Sequence, residues 1–584
     1  MPKSLSSILT SIFIGIFAFA VCANHSFSET KILTSADDFL PGYFVNTLVS
    51  SEGDGAVTMA PVAVPGAWRA SSALPNPVSY HAAALYGRYI YAIGGRQGPS
   101  SNFLPDVLYT TIEPDGTLGS WKATTPLPEG RAFHSAIAYG GYLYVVGGDR
   151  PGFEVTPEVF YARIGSDGQL GPWQKANPLP DQDGRDLAAL VAAYGRLYLV
   201  TGAPNGVFSG TSTVFSADIM ADGSLGKWEQ DRSLPDEAAR LGASAFYSNG
   251  RLFVVGGNAP GFEMADVPLN SAWAADVRPG DKLGMWVSTN EIVVPVRDAQ
   301  GNVIGSRTEA RLYASNSSVV AGGHLILVCG HAKAEGDDQA AATQTVLVGR
   351  LMPNGDVGSW DYAAPYPLKI SRTAAVAIGN KVVVIGGRDA GGDDRSNVYV
   401  SELTPLLPES TVSWGGYESP IVDLGQTARI TSIRWEATGS AAVKMRVRTA
   451  DETGAWSKWT EPSDQREIPI GTTGRYVQFA AEFTSDGRST ASLTSVQINY
   501  GAEAPVVYGD INGDGRVTMQ DALEAVQIAA RLKKPTPTQL NAGDVAPKPG
   551  RGPRLGQAFG DGLINILDVS RILRAALGLE KVLP

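Results

Sequence analysis

Cysteine is almost missing from this chain, with two in 584 residues. One of them, Cys22, falls in a leader expected to be removed, which leaves Cys329 alone. That excludes a disulfide framework, a thiolate metal site and a paired-cysteine redox centre. Positive charge is also short: 47 Lys and Arg face 58 Asp and Glu, for a net charge of −11. No basic stripe is left to neutralise phosphates, so a nucleic-acid partner is excluded. No apolar run is long enough for a membrane span, the longest being residues 8–21. Charged residues make up only 18% against 43% hydrophobic, which reads as globular rather than disordered. The length rules out a single core, so several domains are expected.

What is present begins with an export signal over residues 1–23. Lys3 is the positive start, residues 8–21 are the apolar stretch, and Val21-Cys22-Ala23 offers small residues for cleavage. The expected location is therefore secreted, extracellular or at the cell surface. Glycine is abundant, at 67, and proline frequent, at 37. Without a collagen period they signal many tight turns between short strands.

Six segments then share one pattern of apolar run, glycine turn, second apolar run and glycine pair. They are residues 84–95 (ALYGRYIYAIGG), 136–148, 191–202, 245–257, 319–330 and 375–387. Each reads as a hairpin of two buried strands. Thr201 and Cys329 stand where the other segments have the first glycine. A second unit keeps the same clock: residues 115–121 (DGTLGSW) recur at 167–173 and 222–228, and more loosely at 281–286 and 354–360. A strand ends, a turn reverses it and a tryptophan opens the next, so each repeat carries four strands, one propeller blade. The double glycine followed by a spaced tryptophan resembles the kelch family, which implies a six-bladed β-propeller over residues 66–405. Trp68 precedes the first repeat, and the last repeat lacks a turn-tryptophan unit. The ring is therefore expected to close by lending the Trp68 strand to the last blade.

Residues 410–503 alternate without the glycine clock and read as a β-sandwich. Their Ser419–Leu424 and Trp456–Trp459 stretches look like jelly-roll modules of bacterial extracellular proteins. Residues 31–65 form an N-terminal hairpin that is a candidate to join that sandwich. Beyond a short linker, residues 505–584 carry a calcium loop at EF-hand spacing. Asp510, Asn512, Asp514, the Arg516 carbonyl, Thr518 and Asp521 supply oxygens around one centre. A second, interrupted set is Asp544, Asp561, Leu563, Asn565 and Asp568. Two loop–helix units here resemble a type I dockerin, which implies one or two calcium ions and a cohesin-type or cell-surface protein partner. The fold class is thus mainly β: a propeller, a sandwich and a small α-helical calcium-binding module.

No catalytic set is nominated by spacing. Kelch-type copper radical oxidases need a cysteine–tyrosine cross-link and two histidines. Cys329 with His324 and His331 is the only such grouping, and Cys329 sits in an apolar strand, where burial explains it. The Asp-Gly turns are one residue away from the spacing of sialidase Asp boxes. His81 and His134 occupy matching positions and read as packing residues. Some kelch propellers are sugar epimerases acting on sialic acid. Arg131, Arg185, Arg240, Arg311 and Arg372 recur before the first strand of five blades, near one channel mouth. They are candidates to hold an anionic sugar or to pair with neighbouring carboxylates. Three functions stay open. The first is a secreted recognition or scaffold protein, with a propeller binding a glycan or a protein and a dockerin-like tail. The second is an extracellular carbohydrate-active enzyme, epimerase or glycoside hydrolase, carried on a dockerin. The third is a structural component of the cell surface. A polar cluster inside the channel mouth favours the enzyme, and an apolar channel plugged by side chains favours the other two.

Overall fold

The computed structural model describes residues 28–584 except 51–54, 99–101, 114–115, 181–183, 205–208, 261–266, 313–315, 334–339, 408–409, 502–507, 513–515, 536, 546–562 and 580–584. The expected export signal lies outside these residues. Two compact units are present: residues 29–500, and a C-terminal unit from 501 onward.

The larger unit is built on six four-stranded antiparallel sheets. Their first strands are Ala82–Tyr86, Ser135–Tyr139, Ala189–Ala193, Ser244–Ser248, Ser318–Ala321 and Ala374–Ile378, which define blades 1 to 6. The second strands are almost wholly buried, as in Tyr89–Ile93 and Lys381–Ile385, because neighbouring blades cover both faces. That is why these segments read as continuous apolar runs. The fourth strand of blade 6 is Ala63–Ala70, which pairs with Val398–Pro405 and sets Trp68 opposite Ser401. The start of the ring thus completes its last blade, as the position of Trp68 predicts.

Three repeated ties join the blades. The N–H of the second glycine of each pair donates to the next blade, as in Gly95 to Arg131 O and Gly148 to Arg185 O, both 2.7 Å. Tryptophan Nε1 donates to the preceding blade: Trp121 to Ser72 O at 2.9 Å, Trp173 to Thr125 O at 3.1 Å, Trp286 to Arg232 O at 2.8 Å and Trp68 to Ala364 O at 3.0 Å. Tyrosine hydroxyls reach the Asp-Gly turn of the following blade, with Tyr91 on Gly168 O at 2.6 Å and Tyr144 on Gly223 O at 2.8 Å.

The N-terminal residues and residues 414–501 form one nine-stranded antiparallel sheet. Tyr43–Val45 pairs with Trp414–Glu418, and Val57–Met59 pairs with Ala491–Gly501. Two 18-residue strands, Val422–Gly439 and Glu467–Thr484, carry register shifts near Ala428 and Ser432. Such bulges bend a strand, and one hydrogen-bonded sheet encloses a core of Trp435, Met445, Phe479 and Leu493.

This sheet packs on one mouth of the ring. The guanidinium of Arg448 stacks on Trp456 at 4.3 Å and Trp459 at 4.8 Å. The two indoles donate to Ile219 O and Tyr194 O of blade 3, both at 3.0 Å. Buried Glu418 accepts from the Tyr139 hydroxyl and, at 2.7 Å, from Tyr194 N. Gly195 is obligatory here: a Cβ would lie 1.8 Å from Arg448 Nη2.

In the C-terminal unit, helices Met519–Ala529 and Ile566–Ala576 pack through Ala525, Ile528, Val569 and Ile572.

Thr201 takes the left-handed conformation of the glycine it replaces, φ +59°, and its buried hydroxyl has no partner among the described residues. Thr201→Gly is expected to stabilise the ring by about 1 kcal/mol. Gly223→Ala puts a Cβ 2.3 Å from the Tyr142 ring and is expected to cost about 1–3 kcal/mol. Opposite shifts of the urea midpoint, followed by tryptophan fluorescence, check the pair.

Candidate ligand-binding mouth and cation loops

The mouth away from the nine-stranded sheet is drawn in by a chain of backbone bonds. Tyr80 N donates to Arg372 O at 3.1 Å, Phe133 N to Tyr80 O at 3.0 Å, Leu187 N to Phe133 O at 2.9 Å and Gly242 N to Leu187 O at 2.8 Å. All five residues have φ between +46° and +61°. That backbone turns each N–H and C=O along the circumference, toward the neighbouring blades. The next residues include His81 and His134, which are buried. Their Cε1 atoms lie where a Cβ on Gly386 or Gly94 would stand, at 2.9 and 3.0 Å. Burial pushes their pKa values down to about 4 and about 3, so both imidazoles are neutral packing groups.

Four of the five recurring arginines occupy one register and are buried. The carbonyls of Arg131, Arg185, Arg240 and Arg311 accept the interblade glycine bond; Ile370 and Val78 take that place for blades 6 and 1. Arg131 pairs with Glu129 at 2.8 Å and Glu158 at 3.1 Å, and Arg311 with Glu309 at 2.9 Å. Arg185 donates to Gly184 O and stacks on Phe215; Arg240 donates to the carbonyls of Ala238, Gly256 and Ser271. Only Arg372 differs. It lies two positions further on, in the left-handed ring itself, and reaches the mouth. One-dimensional spacing could not see this shift, because Arg372 also stands just before its strand.

The residues at the mouth are aromatic and cationic. The rings of Tyr80 and Phe133 lie with centroids 4.0 Å apart and planes tilted by 43°, and Phe153 joins through Phe103 at 5.3 Å. Arg96 lies 5.3 Å over Tyr80 and 6.0 Å over Phe153, and Arg372 lies 5.0 Å over Tyr80. Arg372 Nη1 is 3.1 Å from His331 Nε2. Arg388 is held by Asp394 at 3.3 Å. Arg96 Nε is buried with no hydrogen-bond partner among the described residues. Sequence reasoning missed Arg96, Tyr80 and Phe133. The signal available was their position, one residue past the glycine pair or one before the matched histidines. Cys329 and His324 are both buried. Burial raises the Cys329 thiol far above its usual range, and His324 Nδ1 is tied to Gly322 O at 2.8 Å.

In the C-terminal unit the two half-motifs superpose in their bonding. Ile511 N donates to Asp521 Oδ1 at 2.8 Å, and Val545 N to Asp568 Oδ1 at 2.7 Å. Thr518 N donates to Asp521 Oδ2 at 2.8 Å, and Asn565 N to Asp568 Oδ2 at 2.9 Å. Asp544 therefore stands to the second helix as Asp510 stands to the first. Asp510, Asp521, Asp544 and Asp568 are all buried, whereas Asn512, Arg516 and Leu563 are exposed. Asp514 and Asp561 lie outside the described residues.

No family model matches the chain. Kelch-like protein 36 of Mus musculus is 23% identical over 187 residues, 32% of this chain and 29% of that protein. Kelch repeat and BTB domain-containing protein 12 of Danio rerio is 31% identical over 86 residues, 14% of each. The chain thus spans less than a third of the length of these relatives. The solved structure of YjhT covers 56% of this chain and 95% of its own, at 14% identity and a TM-score of 0.43. The ring is a kelch-like β-propeller.

At the blade 2–3 seam of this propeller two carboxyls meet. Gly148 N donates to Arg185 O, which brings Asp149 beside Asp186. Burial pushes Asp149 up to about 7, and burial with the Asp149 charge raises Asp186 well above the carboxylate range. The folded chain then keeps protons that the unfolded chain releases between about pH 4 and 7, so stability falls as pH rises through that window. Asp186→Asn is expected to raise the melting temperature by about 1–3 °C at pH 8 and by less at pH 5, read by scanning fluorimetry.

Proposed function

We propose that this protein is an exported recognition scaffold whose kelch-like propeller holds a carboxylated glycan at its open mouth. The observation that carries the reading is the close, tilted Tyr80–Phe133 pair beside Arg96. The aromatic faces offer apolar area to a sugar ring. A guanidinium at the mouth offers charge-assisted bonds to a carboxylate through its terminal nitrogens. Loops on a rigid ring are where binding residues concentrate. In this reading the nine-stranded sheet is a jelly-roll-like module that shuts the other mouth.

The C-terminal unit is the tether. Asp510, Asn512, Asp514, Thr518 and Asp521 with the Arg516 carbonyl suit one calcium ion, since every donor is a hard oxygen. Asp544, Asp561, Asn565 and Asp568 with the Leu563 carbonyl suit a second. The mirrored backbone bonds to Asp521 and Asp568 support two equivalent loops. Exposed Leu523 and Val526 on one helix, and Ile566, Leu573 and Leu577 on the other, offer an apolar face to a cohesin-type or cell-surface partner.

Calorimetry tests both halves on the full chain. Oligogalacturonate is expected to bind and uncharged galactose oligomers to bind at least tenfold more weakly. Arg96→Ala and Tyr80→Ala are each expected to lose about tenfold, near 1.4 kcal/mol. Two calcium ions are expected, with Asp521→Ala and Asp568→Ala each removing one. Equal affinity for charged and neutral oligomers sinks the glycan reading. A second reading, a carbohydrate-active enzyme, is favoured by the Asp149–Asp186 pair, a proton donor near neutral pH. New reducing ends from the oligomer, lost in Asp186→Asn, would select it.

A further inference from the structure

The interior of the ring and the side cleft it opens into form one cavity of about 800 Å3, within the range of small-molecule sites. Its wall is the first strand of every blade, which contributes Leu85, Ile137, Leu190, Phe246, Val320 and Val376. None of the wall residues from these six strands is ionisable except Tyr247. One end is roofed by residues 43–49. There Asn46 Oδ1 accepts from Gly323 N at 3.1 Å, and Thr47 Oγ1 donates to Gly416 O at 2.7 Å. The other end is floored by Asn316, whose amide donates to His81 O at 3.2 Å and His134 O at 3.3 Å. Beyond Asn316 only about 20 Å3 remains before the left-handed ring.

The chamber is not sealed at its side. Its lining runs on from Leu85 to Gly87 and Arg88, and from Ile378 to Gly379 and Lys381, the hairpin turns of blades 1 and 6. A Cβ on Gly87 or Gly379 would meet nothing within 4 Å. The edge of the opening is fixed by the ion pair of Arg88 with Asp37 at 2.6 Å, which straps the helix Ala36–Phe39 over blade 1.

We infer that this chamber is a second binding site, for one uncharged, largely apolar small molecule of aromatic or alicyclic type, entering between the turns of blades 1 and 6. Inside the ring charge is disfavoured because the six first strands bring no charged side chain to pair with it; Arg88, Glu113 and Lys381 line only the opening at the side. Apolar surface is favoured because the aliphatic and aromatic side chains of the six first strands otherwise face water. The innermost strand of each blade is a sheet edge, and its free backbone groups can satisfy a few polar atoms of the guest.

Nile red titrated into the full chain is expected to give blue-shifted, saturable emission with one dye per chain. Leu190→Trp and Val376→Trp, on opposite walls, are each expected to weaken it at least tenfold. Phe153→Ala, at the far mouth, leaves it unchanged. An uncharged aryl diazirine photolysed on the unaltered chain needs no variant to fold, and is expected to label peptides spanning residues 83–88 and 375–381. Emission that does not saturate, or label confined to exposed residues such as Ile304 and Leu523, overturns the proposal.

Discussion

At each seam between blades, a glycine N–H meets a carbonyl of the next blade. The bond recurs from Gly95, Gly148, Gly202, Gly257, Gly330 and Gly387, at 2.7–3.2 Å. Each of these glycines has φ between +83° and +107°. A Cβ there would press on the neighbouring strand; at Gly148 it would stand 2.5 Å from Ala132 O. Only a residue without a side chain lets the chain leave the second strand, bond to the next blade and return. Everything else in the ring hangs on that geometry, including the curvature that brings the first strand back to blade 6.

The same seams decide what each end of the channel can do. The residues just past the glycine pair differ from blade to blade, with Arg96, Asp149, Asn258, His331 and Arg388 in equivalent places. Identical backbone bonds thus present different side chains around one mouth. Aromatic and cationic groups collect at blades 6, 1 and 2, and paired carboxyls at the blade 2–3 seam. The other mouth has no such freedom, because buried Glu418 and Arg448 and the half-buried indoles of Trp456 and Trp459 pack against blades 2 and 3. The first strands that line the interior between them carry mainly apolar side chains but leave it open rather than plugged. The mouth therefore meets the polar criterion set by the sequence, and the channel meets only half of the other.

Blade number, strand order and closure were legible because a repeat is a one-dimensional signal. Apolar runs of fixed length, Asp-Gly turns and tryptophans record local backbone needs that recur on one clock. The recurring arginines were legible as positions but not as roles. Arg131 and Arg372 look alike on paper, yet one is buried between Glu129 and Glu158 and the other stands in the mouth. Two residues of register separate them, and register is a property of the pairing. Tyr80 and Phe133 were not legible as a site, since an aromatic before a strand is common in any β protein.

The amino-acid sequence by itself determined the repeated blade, the oxygen-rich loop at 510–521 and the break in its second copy, because each depends on residues close in the chain. Only the tertiary structure decided that residues 28–59 supply strands to the nine-stranded sheet, that Arg372 stands in the mouth while Arg131 is buried, and that Arg96 lies against Tyr80. These are contacts between segments far apart in sequence or on neighbouring blades. They arise where the ring closes and the seams bring side chains together, and no local propensity encodes them.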